Sequence, residues 1–251
     1  MTGPFARSLR SPHNPQLKEL RRALQRGEPT TGGLCAIEGR HLLEEALRSP
    51  VEVVRVFTKL PQPSLPAHIE QIEVPDHILA QVASTETSPG VVSLIRFPAN
   101  RPAEEPRLPP LVVYLDGLQD PGNAGTIVRA AEAFGATEVR FGEGCVSPFN
   151  PKTLRASAGS LFRVPFQTGA SALTGDLTWY WSAPREGERA DQVDWKRPCG
   201  LVVGSEARGV HSLRRQAARP VHIPTLGVES LNAAIAASLL LYEAARQRYF
   251  S

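Results

Sequence analysis

The second half of the chain carries five short apolar runs: LVVYL at 111–115, EVRF at 138–141, LTWYW at 177–181, GLVVG at 200–204 and PVHIP at 220–224. LVVYL, LTWYW and GLVVG show little of the alternation of a half-exposed strand, and helix-like stretches separate the five. Strands of this kind are buried on both faces, which requires a largely parallel sheet covered by helices on each side. The expected fold class is therefore α/β. Such sheets hold ligands at the turns that follow the carboxyl ends of their strands.

Three of those turns have unusual composition. The first, DPGNAGTIVRAAEAF at 120–134, runs straight into a helix. Its spacing is not G-x-G-x-x-G, and no lysine follows as in a phosphate-binding loop. A helix over 123–134 puts Ile127, Ala130, Ala131 and Phe134 on the core face, with Arg129 opposite and Gly125 one turn before it. Taken alone, Arg129 reads as an ordinary exposed arginine; the glycine beside it leaves room for a ligand or a second chain.

The second turn, GLVVGSEARGV at 200–210, ends a buried strand at Gly204 and presents Glu206 where it can accept hydrogen bonds from an amine or orient an arginine. By itself this is also ordinary turn chemistry. The third, HIPTLGVESLNAAIAASLLLYEAARQR at 222–248, begins the final helix. Ser230 is the expected N-cap, and Leu231, Asn232 and Ala233 then form a first turn whose N–H groups have no partner within the helix. Asn232 adds two donors and an acceptor. A well-packed terminal helix explains the alanines that follow, but not the Ser-Leu-Asn before them.

The stretch RFPANRPAEEPRLPP at 96–110 is rich in proline and charge, and it separates a first domain, 1–97, from a second, 111–251, with 98–110 as the linker. The first domain alternates helix and strand signals. NPQLKELRRALQRG sets Leu17, Leu20 and Leu24 at helical spacing with Gly27 as a stop. GLCAI, VEVVRVFT, IEQIEV and VVSLI read as strands, HLLEEALRS as a helix, and Asp76 as the N-cap of another. PKTLRASAGSLF at 151–162, opened by Asn150-Pro151, reads as one helix in the second domain.

A net charge of +3 is modest, but Arg7, Arg10, Lys18, Arg21, Arg22 and Arg26 cluster early, and Arg208, Arg214, Arg215 and Arg219 late. Such patches suit a polyanion as well as they suit solvated helix faces. The three cysteines form no C-x-x-C pair, and no cluster of metal ligands is evident. No run is long and apolar enough for a membrane span, and no apolar core of a signal peptide follows the amino terminus. The expectation is a cytoplasmic protein without bound metal or membrane partner.

In order, N-x-G-x(3)-R at 123–129, G-S-E-x-x-G at 204–209 and I-P…E-S-L-N-x-x-x-A at 223–236 resemble the three motifs of the SpoU (TrmH-like) branch of the SPOUT methyltransferases. The resemblance covers nearly all of 111–251, including SPFNPKTLRASAGSLFRVPF. The first domain is similar to the ribosomal-protein-like substrate-binding domain that often precedes that branch. The resemblance implies S-adenosyl-L-methionine as cofactor, a ribose 2′-hydroxyl of structured RNA as methyl acceptor, a carboxyl-terminal trefoil knot and a homodimer. It further implies that Gly204, Glu206, Ile223, Leu231, Asn232 and Ala233 hold the cofactor. Asn123, Arg129, Glu206, Ser230 and Asn232 would serve catalysis. Ribosomal RNA, of the large subunit above all, is the expected substrate, with transfer RNA the alternative. A non-catalytic RNA-binding or assembly factor is the rival class, and an intact Asn123–Arg129 pair with Ser-Leu-Asn argues against it. A nicotinamide-dependent oxidoreductase is disfavoured by the missing G-x-G-x-x-G.

Overall fold

The computed structural model describes residues 5–85, 88–98 and 109–250. Most of the expected linker, 98–110, lies outside the described residues. The chain divides into two compact units, one of Met1–Asn100 with Phe149–Phe162, the other of Arg101–Pro148 with Arg163–Ser251. The division differs from the linear boundaries at 149–162, a segment that the sequence places in the second domain.

The first unit runs β1 (Arg7–Ser8), α1 (Pro15–Arg26), β2 (Cys35–Glu38), α2 (Arg40–Leu47), β3 (Glu52–Thr58), β4 (Glu70–Glu73), α3 (Asp76–Val82) and β5 (Val91–Arg96). Its sheet has the order β1-β4-β3-β5-β2, with β4 parallel to both neighbours and β5 antiparallel to both of its own. Helix α1 begins where the Asn14 side chain accepts from the Gln16 N–H at 2.9 Å, and it stops at Gly27, whose φ of 62° is cheap only for glycine. Leu17, Leu20 and Leu24 are buried in one cluster with Phe57, Ile72 and Leu79, which leaves Lys18, Arg21, Arg22 and Arg26 exposed. For α3 the N-cap is Pro75, not Asp76. Asp76 occupies the first turn instead, where a carboxylate is also favourable.

The segment 149–162 joins this unit through a buried carboxylate. Glu38 accepts from the Ser84 N–H at 2.6 Å, from the Ser84 hydroxyl and from the Arg155 guanidinium at 2.8 Å. A carboxylate that deep needs such partners, because burial without them is costly.

The second unit runs β6 (Leu111–Asp116), α4 (Pro121–Ala133), β7 (Glu138–Gly142), then, beyond the helix α5 (Pro151–Ser157) that clusters with the first unit, β8 (Phe166–Ala170), β9 (Thr178–Ala183), β10 (Glu188–Arg189), β11 (Cys199–Gly204), α6 (Ser212–Ala217), β12 (Arg219–His222) and α7 (Ala233–Tyr249). Helix α5 is shorter than the sequence suggests. Asn150 caps it as expected, but Ala158 turns left-handed at φ 48° and a separate 3-10 turn, Ser160–Phe162, follows.

All seven strands are parallel, in the order β10-β12-β9-β11-β6-β7-β8. From β6 the chain builds outward in one direction through β7 and β8; it then crosses to the other side of β6, where β9 comes first and β11 is inserted between β9 and β6. The strand order therefore reverses between β6 and β11, and a crevice at the carboxyl ends of such a pair is where α/β sheets take ligands.

Helices α4 and α7 pack against each other. Asn123 meets Asn232 near their amino ends, and the Phe134 and Tyr242 rings meet edge to face at 5.7 Å further along, so the two run parallel. The alanines of α7 (Ala234, Ala236, Ala237, Ala244, Ala245) are buried and permit close packing. All three cysteines are free thiols, and burial pushes the Cys35 thiol up to about 12.

Candidate active site

Strand β11 ends at Gly204, and the chain folds straight back. The Gly209 N–H donates to the Ser205 carbonyl at 2.8 Å, and a Cβ built on Gly204 would stand 2.2 Å from the Gly209 carbonyl carbon. Only glycine fits there. The tight turn carries Glu206 at its tip, exposed beside the start of α4 and the start of α7.

Helix α4 starts with Asp120 as N-cap, its side chain accepting from the Asn123 N–H at 2.6 Å, so the helix begins earlier than the expected 123. Helix α7 is capped by Asn232 and not by Ser230: Asn232 Oδ1 accepts from the N–H groups of Ala234 at 2.9 Å and Ile235 at 3.2 Å. Leu231 and Asn232 therefore precede the helix. Because Oδ1 is committed to the cap, Nδ2 of Asn232 must point outward, and it donates to Asn123 Oδ1 at 3.2 Å. That in turn leaves Asn123 Nδ2 to donate to Glu206 Oε1. One polarity runs through the set, from helix cap to carboxylate, and it fixes the orientation of both amides. The three turns singled out in the sequence are thus joined by a hydrogen-bonded chain, Asn232–Asn123–Glu206.

Beside this chain lies a cavity of about 490 Å³. Gly204, Glu206, Ile223, Ser230, Leu231, Asn232 and Ala233 all line it. The carboxyl end of β9, Trp181 to Pro184, supplies a wall that the sequence reading missed. The strand LTWYW was evident, but no glycine or charge marks its end as a ligand wall. Arg215 stacks over the Trp181 ring at 4.5 Å and donates to the Val210 carbonyl at 2.9 Å, bracing the same wall. Apolar side chains, small residues and a helix start with polar groups suit a flat heterocycle joined to a charged tail. The residues present fit an adenosyl amino acid in size and chemistry.

Arg129 stands apart. It is exposed on α4, six residues after Asn123, which places it about 9 Å along the axis and about 120° around it. Gly125, expected beside it on the open face, is buried. Among the described residues Arg129 has no hydrogen-bond or ion-pair partner, and none of the groups that could hold a metal ion form a cluster of three.

A second cavity, also of about 490 Å³, lies across the 205–209 turn, outside the ends of β6, β7 and β11. Its wall includes Asp116, which accepts from the His211 N–H at 2.6 Å, and Arg214, 3.9 Å from Asp116. Arg214 also donates to the Tyr114 hydroxyl at 3.0 Å, and that hydroxyl donates to the Ala170 carbonyl at 2.6 Å. Burial holds the Tyr114 phenol above its ordinary value despite the lowering effect of Arg214, so it keeps the proton this bond needs.

Fold and site together define a cofactor-binding α/β domain with a polar chain on the wall of its cavity. The chain belongs to the SpoU rRNA methylase family, whose model matches residues 110–242. A second model, the MRM3-like substrate binding domain, matches residues 14–93. The chain is 30% identical over 248 residues to the 23S rRNA (guanosine(2553)-2′-O)-methyltransferase RlmP of Bacillus subtilis (strain 168), covering 94% of this chain and 98% of the relative. It is 34% identical over 200 residues to the 23S rRNA (uridine(2479)-2′-O)-methyltransferase of Streptomyces viridochromogenes, covering 71% and 68%. Among solved structures, the SpoU methyltransferase AviRb from Streptomyces viridochromogenes in complex with AdoMet superposes with a TM-score of 0.79 at 25% identity, covering 93% of this chain and 98% of the other. The protein is a methyltransferase of this S-adenosylmethionine-dependent family.

Proposed function

We propose that this protein methylates a ribose 2′-hydroxyl in ribosomal RNA of the large subunit, using S-adenosyl-L-methionine held in the first cavity. The observation that carries the reading is the Asn232–Asn123–Glu206 chain, because two of its members line that cavity and the third opens α4. The relatives act on 23S rRNA, which favours ribosomal over transfer RNA. A chain kept only for binding has no need of three motif residues locked in one orientation, and this argues against a mere assembly factor.

When bound, the cofactor supplies an electrophilic methyl group on a sulfonium. The protein's task is to position an acceptor oxygen, a very weak acid, and to favour its developing negative charge. Asn123 and Asn232 are rigid donors already oriented, and Glu206 is the acceptor end that keeps them so. Arg129 stands apart from its own chain's cavities, so in a homodimer it is the electrostatic partner of the ribose oxygen and the adjoining phosphate at the site of the other copy. A guanidinium hardly ever gives up its proton, so Arg129 is not the base; proton removal falls to the RNA phosphate or to water. Gly204, Ile223, Leu231 and Ala233 shape the cavity, and Ser230 offers it a hydroxyl.

The same reading makes the first unit the RNA-capturing domain, working through the exposed basic face of α1. It includes a trefoil knot at the carboxyl end, which is supported by the return of α7 to pack on α4 after the chain has reached β12 on the other side of the sheet. It also includes a homodimer in the cytoplasm. Ile235, Leu239 and Tyr242 are 53%, 43% and 48% exposed along one stripe of α7, on a helix whose other side is already buried. An apolar stripe of that kind suits an interface between two copies.

Incubation of the protein with methyl-labelled cofactor and deproteinised large-subunit rRNA tests the function. Label recovered in a 2′-O-methylated nucleoside is expected; label in a methylated base, or transfer to tRNA alone, would overturn it.

A further inference from the structure

The relatives methylate the ribose of different bases, guanosine in one and uridine in another, so family membership leaves the base open. The second cavity bears on that choice. It sits at the point where the strand order reverses, outside β6 and β11, which is the favoured ligand position of an α/β sheet. It also shares a wall with the first: Ser205, Glu206, Arg208 and Gly209 line both. A nucleotide whose ribose meets the Glu206 end of the chain has this space on the far side of the turn for its base.

We infer that the second cavity receives the nucleobase of the nucleotide to be methylated and that it selects guanine, with Glu143 as the specificity-determining residue. The inference rests on the methyl-transfer reading for the position of the ribose. Glu143 follows β7 and lines the cavity, exposed and without a hydrogen-bond partner among the described residues. An ionised carboxylate only accepts, through two adjacent oxygens. Guanine alone of the four bases carries two adjacent N–H donors, N1–H and the N2 amino group, on its pairing edge. Adenine and cytosine would each turn a lone pair toward the carboxylate, and uracil would bring two carbonyls around a single N–H.

Donors also line the cavity, as guanine's O6 and N7 require, while Asp116 accepts from the His211 N–H. The His211 side chain is one of them: its Nδ1 accepts from the Leu213 N–H at 3.4 Å, so a neutral ring carries its proton on Nε2. Arg214, held by Tyr114 and Asp116, adds a fixed positive charge, and its Nε is buried without a hydrogen-bond acceptor. An enzyme that acts on a nucleotide within folded RNA reads an extruded base by this kind of edge contact.

Calorimetry on the full chain tests the assignment. The protein is first titrated with S-adenosylhomocysteine, and the loaded protein is then titrated separately with GMP, AMP, CMP and UMP. GMP is expected to bind roughly tenfold or more tightly than the others, the discrimination of one good bidentate contact. Glu143→Gln keeps the size of the side chain but replaces one acceptor with a donor, so it should erase the preference while cofactor affinity and melting temperature hold. Equal affinities for the four nucleotides, no GMP binding at millimolar concentration, or a guanine preference that survives in Glu143→Gln would each overturn the inference. Failure of S-adenosylhomocysteine to bind would instead overturn the methyl-transfer reading.

Discussion

Gly204→Ala is expected to reduce S-adenosylhomocysteine affinity by roughly two orders of magnitude or more, and methyl transfer with it. The added methyl group would lie 2.2 Å from the Gly209 carbonyl carbon and 2.4 Å from both its oxygen and the Val210 nitrogen. These are backbone atoms of a closed turn, so the strain is relieved only by opening residues 205–209. Overpacking of this kind costs about 1–3 kcal/mol when the surroundings yield locally. Here what yields is the wall common to both cavities and the support of Glu206. The fall in cofactor affinity should therefore exceed what the loss of stability explains. Gly32→Ala is the matching control, since a Cβ there approaches nothing nearer than the Thr30 hydroxyl at 3.9 Å. Titration calorimetry and thermal melting on both variants give the comparison. Wild-type cofactor affinity in Gly204→Ala would show that the turn does not shape the site.

Arg129→Ala should lower single-turnover methylation by roughly two or more orders of magnitude, as expected when a charge that favours the transition state is removed. Its exposed place on α4 means that the fold should lose little. Cofactor affinity should also change little, because Arg129 is not among the residues that line the first cavity. Arg129→Lys keeps the charge without the planar fork and should recover only part of the rate. An alanine variant that methylates at the wild-type rate would make Arg129 an ordinary surface arginine.

Strands β6, β9 and β11 are legible because burial on both faces writes itself into the sequence as nearly unbroken apolar runs, whereas β7 and β12 keep polar residues that are only half-buried or exposed, and the two-residue β10 is exposed throughout. Strand β8, FQTGA, is an edge of the sheet and mostly exposed, so it carries no such run. The end of α5 turned on a left-handed alanine, Ala158, that no residue preference announces. Its attachment to the first unit depends on Glu38, more than a hundred positions away, and pairings of that range leave no local trace. At the site, Asn123, Glu206 and Asn232 could be picked out as three motif positions, but not as one chain. Ser230 and Asn232 are both good caps, and the sequence favoured the earlier one. The bond from Asn232 to Asn123 is tertiary, and it accompanies the start of α7 at Ala233. The β9 wall stayed hidden because a cavity lined by Trp181, Ala183 and Pro184 has the composition of any strand end.

The most direct measurement is a crystal structure of the full chain with S-adenosylhomocysteine. The ligand is expected in the cavity bounded by 181–184, 203–210 and 223–236, with its sulfur turned toward the Asn232–Asn123–Glu206 chain. Well-ordered ligand bound elsewhere, with that cavity filled only by solvent, would contradict the account.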